Sequence, residues 1–307
     1  MVATTPAKQL VVGCVPEHFS IPFFHATPTK GPFKISNCPG GTGMMLKLLA
    51  SGDLDICVGL TEGLVAALAN TETESDYRIV GALTKSSLTW TFAGCKNGGD
   101  NAHLVRGKRI GISRFGSGSH LIPFVIPSSE NTILSGKPEE AFTFVQQNDI
   151  VGLRQGITSS TTDAFLWERF TTKKYVDSGE LAVLGSVTPP WPAFMFACRN
   201  AILETEEGRE RVRDFLNSIT ASINESVYEV ELSESGKRVV RQGIVPEICE
   251  RFGYADEDVK AWFETSVDFA SDCASVDKDA IERCLAALKS AGVLQADAKI
   301  APEQLAL

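Results

Sequence analysis

Short apolar runs recur at regular intervals along the first 200 residues: QLVVGCV at 9–15, FKISNC at 33–38, LDICVGL at 54–60 and RIVGALT at 78–84. Their length and their Val and Ile content predict strands. Between the second and third, Met45, Leu46, Leu48 and Leu49 fall at helical spacing, and Gly52 marks the stop. Between the third and fourth, Leu64, Val65 and Leu68 repeat that spacing. Strands alternating with short helices predict βαβ units and a largely parallel sheet. The pattern then restarts with KRIGIS at 108–113, FTFVQQ at 142–147, TDAFLWE at 162–168 and ELAVLGSV at 180–187, which predicts a second α/β lobe.

SLTWTFAGC at 87–95 and AFMFACRN at 193–200 are extended and apolar and flank the second lobe, so they read as crossings between the lobes. Beyond them the pattern turns helical. Val212, Phe215, Leu216, Ile219 and Ile223 share one face, and two shorter amphipathic stretches follow, the last with acids in its first turn and Gly292 at its end. Helices this short need a partner, so this third is expected to pack back on the first lobe. The expected organisation is residues 1–88 with 196–307 as lobe one, residues 89–195 as lobe two, and a cleft between them.

Composition narrows the class. The chain has 307 residues, enough for about two domains, with 43% hydrophobic and 22% charged residues. No apolar run reaches the roughly 18–20 residues of a membrane span, and the start shows no signal-peptide pattern. The expected location is therefore the cytoplasm, with the eight cysteines reduced and most of them packed as small hydrophobes. No C-x-x-C pair exists, which argues against a zinc site. The net charge of −9 is uneven: residues 201–307 carry a balance of −10 and the first 200 one of +1. There is no basic stripe, so neither nucleic acid nor membrane is an expected partner.

Two glycine-rich segments carry the candidate chemistry. In SRFGSGSHLIPF at 113–124, Gly116 and Gly118 follow a strand and open a helix, with Arg114, Ser117, Ser119 and His120 around them. A helix start at the C-terminal end of a parallel strand offers free N–H groups and partial positive charge to an anion. The same string also makes an ordinary turn with Ser119 as N-cap. It lacks the lysine of a P-loop, the third glycine of a dinucleotide fingerprint and the G-x-S-x-G of a hydrolase elbow. CPGGTGMM at 38–45 repeats the chemistry in lobe one with Gly41, Thr42 and Gly43.

GGTGMMLKLLASGDLDICVG and VRGKRIGISRFGSGSHLIPFVI together resemble the signature segments of the type II periplasmic-binding-protein family, in the branch of sulfonate, taurine and nitrate binders and thiamine-pyrimidine synthases. The resemblance spans most of residues 8–200 and implies an α/β, two-lobed fold with a hinge of two crossing strands and a ligand cleft. Without an export pattern, the chain looks like an intracellular member of that set. The candidate binding residues are Gly41, Thr42, Gly43, Arg114, Ser117, Gly118, Ser119 and His120, with His18, Thr61, Glu62, Asp163 and Trp191 at strand ends and loops around the expected cleft. Four of these also have a plain structural reading: His18 as a hydrogen-bonded histidine, Thr61 as a helix cap, Glu62 as a first-turn acid and Trp191 as a packed ring.

The expected function is non-catalytic binding of a small organic anion, zwitterion or heterocycle with hinge closure, and no cofactor is implied. The alternative is an enzyme like the thiamine-pyrimidine (HMP phosphate) synthases, using pyridoxal phosphate and iron. The resemblance implies for those a cysteine-rich run and a lysine and histidine one helical turn apart. Here no histidine lies three or four residues from a lysine, and no two cysteines are closer than eleven residues.

Overall fold

The first four apolar runs fold as β1 (Leu10–Cys14), β2 (Phe33–Asn37), β3 (Ile56–Leu60) and β4 (Tyr77–Ala82), with α1 (Gly41–Ser51) and α2 (Thr61–Ala69) between them. β1 lies parallel to both β2 and β3, with Val12 opposite Ile35 and Ile56. The inner strand β3 buries a near-continuous apolar run, Ile56, Cys57 and Val58, whereas the edge strand β2 is only partly buried. The computed structural model describes residues 9–70, 76–95, 108–125, 142–232, 238–305 and 307. The chain start at 1–8, signature residues 105–107 and 126, and residues 233–237 of the C-terminal third lie outside the described residues.

The second set repeats the plan with β5 (Trp90–Gly94), β6 (Lys108–Ile112), α3 (Gly118–Val125), β7 (Phe142–Gln146), α4 (Ile150–Thr158), β8 (Ala164–Glu168), α5 (Arg169–Asp177) and β9 (Ala182–Val187). A further strand, β10 (Phe194–Arg199), returns to the first sheet. The strand orders are β2-β1-β3-β10-β4 and β7-β6-β8-β5-β9. In each sheet the fourth strand is antiparallel to its neighbours, and in each it is the strand that has just arrived from the other sheet. The segments read as crossings are thus complete strands of the sheets they enter. The connections themselves are 83–89 and 188–193.

The C-terminal third supplies α6 (Asn200–Leu203), α7 (Glu206–Ser222), α8 (Ile244–Phe252), α9 (Asp256–Thr265) and α10 (Lys278–Ser290). α7 buries Val212, Phe215, Leu216 and Ile219, as its periodicity predicts, and Thr205 caps it by accepting from Gly208 N at 3.0 Å. The expectation of an all-helical tail is corrected by an antiparallel pair, β11 (Tyr228–Leu232) and β12 (Arg238–Val240). The alternation in YEVEL is a period of two, not of 3.6. α10 packs on α2 and also on α3, so the tail touches both lobes.

Residues 268–270 are strapped across the first connection. Lys85 N donates to Asp268 O at 2.7 Å, Ala270 N to Leu83 O at 2.9 Å, and Asp268 N to Ser86 Oγ at 2.9 Å. Among the described residues no helix is long and apolar enough to cross a membrane, and all eight cysteines are free thiols.

Gly81 in β4 shows how closely this strap region lies on the sheet: a Cβ there would sit 1.9 Å from the backbone oxygen of Cys273. Gly81→Ala is expected to cost ~1–3 kcal/mol through forced displacement of that backbone. Urea unfolding of the variant measures it, and an unchanged midpoint would refute the tight approach.

Candidate functional site

All the parallel strands of both sheets run with their C-terminal ends toward one cleft, and the two reversed strands begin there. Register sets the neighbours: Trp90 of β5 stands opposite Glu168 of β8, and Phe194 of β10 opposite Leu60 of β3. A cavity of about 60 Å3 lies between the lobes. Its wall comes from the end of β1 (Val15, Glu17), the start of α1 (Pro39 to Thr42), Leu60, Leu88, Trp90, the β6–α3 loop (Ser113, Ser117, Gly118, Ser119), Trp167, Glu168 and Phe194.

Of the residues singled out from the sequence, Gly41, Thr42, Ser117, Gly118 and Ser119 come together on this cavity. Both helix starts reach it. Ser117 Oγ donates to Arg114 O at 2.7 Å, and Ser119 Oγ accepts from Ser113 N at 3.0 Å while lying 2.9 Å from Ser117 Oγ. The hydroxyls thus stiffen the loop; Ser117 O accepts from both His120 N and Leu121 N at 2.9 Å, so the donors offered at the start of α3 are Gly118 N and Ser119 N. Gly118 is needed for closeness: a Cβ there would meet Trp90 Cη2 at 2.4 Å and Leu60 Cδ1 at 2.7 Å, so α3 touches the first sheet directly. Thr42 is buried with its Oγ1 accepting from Leu60 N at 2.9 Å, which ties α1 to β3.

The remaining candidates sit elsewhere. Gly43 and His120 line an outer groove with Phe115, and His120 Nδ1 accepts from Gly116 N at 3.1 Å. Burial lowers the pKa of His120. Arg114 lies over Gly40 and Gly43 of the other lobe and gives its Nη2 to Asn148 O at 3.3 Å. Thr61 and Glu62 open α2 but turn to the second connection: Thr61 N donates to Ala193 O at 3.1 Å, and Trp191 Nε1 donates to Glu62 Oε2 at 3.1 Å. Trp191 is itself buried, away from the cavity wall. Asp163 precedes β8 and is held by Arg109, with Nη2 at 2.8 Å. Five residues of strand put it roughly 16 Å from Glu168, at the far end of the sheet.

His18 begins a short 3-10 helix (His18–Phe24) and lies behind the cavity, ringed by Phe19, Tyr254 and Trp262 at 4.3–4.7 Å between centroids. Its Nε2 is 3.9 Å from Glu168 Oε2, and burial pushes its pKa down to about 3, so the ring is neutral. Neither ring nitrogen has a hydrogen-bond partner among the described residues.

Sequence reasoning passed over the acids and rings that shape the wall. Glu17 lies just after β1, one place before His18, and Glu168 ends TDAFLWE. Burial, and after it the nearby Glu168, push Glu17 up to about 7 against the opposing effect of a hydrogen bond with Trp167. Glu168 is also pushed up to about 7, chiefly by burial, against hydrogen bonds from the backbone of Phe170 and from Thr171. Its Oε2 accepts from Thr171 N at 2.7 Å and from Thr171 Oγ1 at 2.9 Å, which caps α5. The available signal was position: a polar residue at the C-terminal end of a parallel strand. Among the described residues no group of three or more His, Cys, Asp or Glu side chains is placed to hold a metal ion.

Comparison with known proteins gives the fold independently. A family model described as Ca3427-like PBP matches residues 90–187. The Candida albicans CA3427 gene product, described as defining a new family with the generic periplasmic-binding-protein fold, superposes with a TM-score of 0.79 at 26% identity, covering 97% of this chain and 94% of that one. The alkanesulfonate-binding protein SsuA from Xanthomonas axonopodis pv. citri, bound to MOPS, gives 0.70 at 13% identity, with 97% and 98% covered. The periplasmic aliphatic sulphonate binding protein SsuA from Escherichia coli gives 0.62 at 11%, with 96% of each chain covered. No curated protein matches the chain. The chain has the periplasmic-binding-protein fold.

The buried carboxyls make stability depend on pH. Glu17, Glu62 and Glu168 are each raised from 4.5 to about 7, so between those values the folded chain keeps protons that the unfolded chain has released. Stability then falls as pH rises. His18, lowered from 6.5, acts in the opposite sense, but it is one group against three. The melting temperature should drop from about pH 5 to 7, and Glu62→Gln, which keeps an acceptor for Trp191, should make the drop shallower. An identical slope in the variant would mean that Glu62 is ionised throughout.

Proposed function

We propose that this protein binds a small organic anion or zwitterion in the interlobe cavity and closes its lobes around it, without chemical conversion of the ligand. The observation that carries this reading is that two helix starts, one from each lobe, reach the same small cavity. Helix-start N–H groups carry partial positive charge and suit a sulfonate, phosphate or carboxylate. A ligand held by both starts binds the closed arrangement better than the open one, and that difference drives closure. The connections 83–89 and 188–193 are the hinge in this reading, and residues 163 and 191 fall outside the contact set. The sulfonate-binding proteins of the same fold support the ligand class.

Thermal-shift and calorimetric screening with aliphatic sulfonates, carboxylates and aminosulfonates tests the proposal. A ligand at ~100 times its Kd stabilises the fold by about 2.7 kcal/mol, a shift of a few degrees. Ser117→Asp places a negative charge at the α3 start, where an acidic cap is compatible with the helix. It is expected to weaken anion binding at least tenfold with the circular dichroism spectrum unchanged. Unaltered affinity in that variant would remove the α3 start from the site.

A further inference from the structure

The lining of the cavity contains no basic side chain among the described residues. It contains two carboxyl groups, Glu17 and Glu168, two indoles, Trp90 and Trp167, and the ring of Phe194. That set is unlike what two positive helix starts need to hold a simple anion. Two acids on one small cavity repel an anion, and buried carboxylates without a cation are costly. Indole faces attract a cation at close range.

The groups around the acids do not supply that cation. His18 lies against Glu168 but is neutral. Arg169, on α5, is exposed and only modestly favours the ionised form of Glu168. On the far side, Tyr254 contributes a hydroxyl that bonds Thr171 Oγ1 at 3.0 Å, and its own ionisation is pushed well up by burial. Arg114 lies over Gly40 and Gly43 with its Nη2 on Asn148 O. The two carboxyls thus have neutral hydrogen-bond donors, Trp167 for Glu17 and Thr171 for Glu168, but no cationic side chain on the cavity wall, and they stand beside aromatic faces.

We infer that the ligand of this cleft carries a cationic nitrogen, seated against Trp90 and Trp167 and paired with the carboxyls of Glu17 and Glu168. This rests on the cleft being the ligand site, and it narrows the ligand from an anion or zwitterion to a zwitterion whose anionic group meets the helix starts. A cation entering the site favours ionisation of both acids, so its binding tightens as pH rises through neutrality; the other groups facing the acids are the neutral ring of His18, the guanidinium of Arg169 and the buried phenol of Tyr254.

Isothermal titration of the full chain with four planar probes separates the two halves of the site: benzamidine (cation), benzamide (neutral), benzoate (anion) and 4-(aminomethyl)benzenesulfonate (zwitterion). Benzamidine and the zwitterion are expected to bind at least tenfold more tightly than benzamide and benzoate, and benzamidine more tightly at pH 8 than at pH 6. Glu17→Gln with Glu168→Gln keeps the acceptors for Trp167 and Thr171, and should weaken benzamidine at least tenfold. Ser117→Asp should lower the affinity of the zwitterion relative to that of benzamidine at least tenfold. Benzoate binding without benzamidine binding would overturn the cation and leave the anion reading standing. Benzamidine binding indifferent to the double Gln variant would place the cation outside the cleft and overturn the inference. Silence from all four probes would overturn both readings together.

Discussion

The cleft depends on the reversal of one strand in each sheet. β5 and β10 each cross from the other lobe and enter as the fourth strand, antiparallel to its neighbours. Because they run backwards, they begin where the parallel strands end. Trp90 is thereby set opposite Glu168, and Phe194 opposite Leu60. The ladders that complete each sheet thereby set residues of the cavity wall, while the connections leading into β5 and β10 join the lobes. The chain passes between the two sheets at residues 83–89 and 188–193, and the first of these is held by the strap at 268–270.

Electrostatic balance in the cleft follows from which ends of elements meet there. Helix starts bring partial positive charge from backbone that cannot be satisfied within the helix. The strand ends bring Glu17 and Glu168, whose burial favours the neutral acid. Neither contribution is cancelled by a basic side chain of the cavity wall. Behind the wall, polar groups are absorbed in structure: His18 among rings, Glu62 on Trp191, Thr61 on the second connection. These residues link the tail and connections to the site without reaching the cavity.

Hydrophobic periodicity by itself determined the strands of both lobes, helices α1 and α2, the α/β class and the buried face of α7, since period and burial are local properties of the chain. It also determined that α1 and α3 open with glycine-rich starts able to take an anion, because that chemistry is carried by backbone. It misread the YEVEL stretch, where a helical context outweighed a short alternation. What only the tertiary structure decided is which side chains share the cavity. Glu17 and His18 are adjacent in sequence, yet one faces the cavity and the other the core. Trp167 and Trp191 are both tryptophans near strand ends, and only the first reaches the wall. Asp163 and Glu168 belong to one strand run, but its direction leaves the first at the distant end. Strand direction, register and the pleat choose among such neighbours, and all three are set by partners far away in the chain.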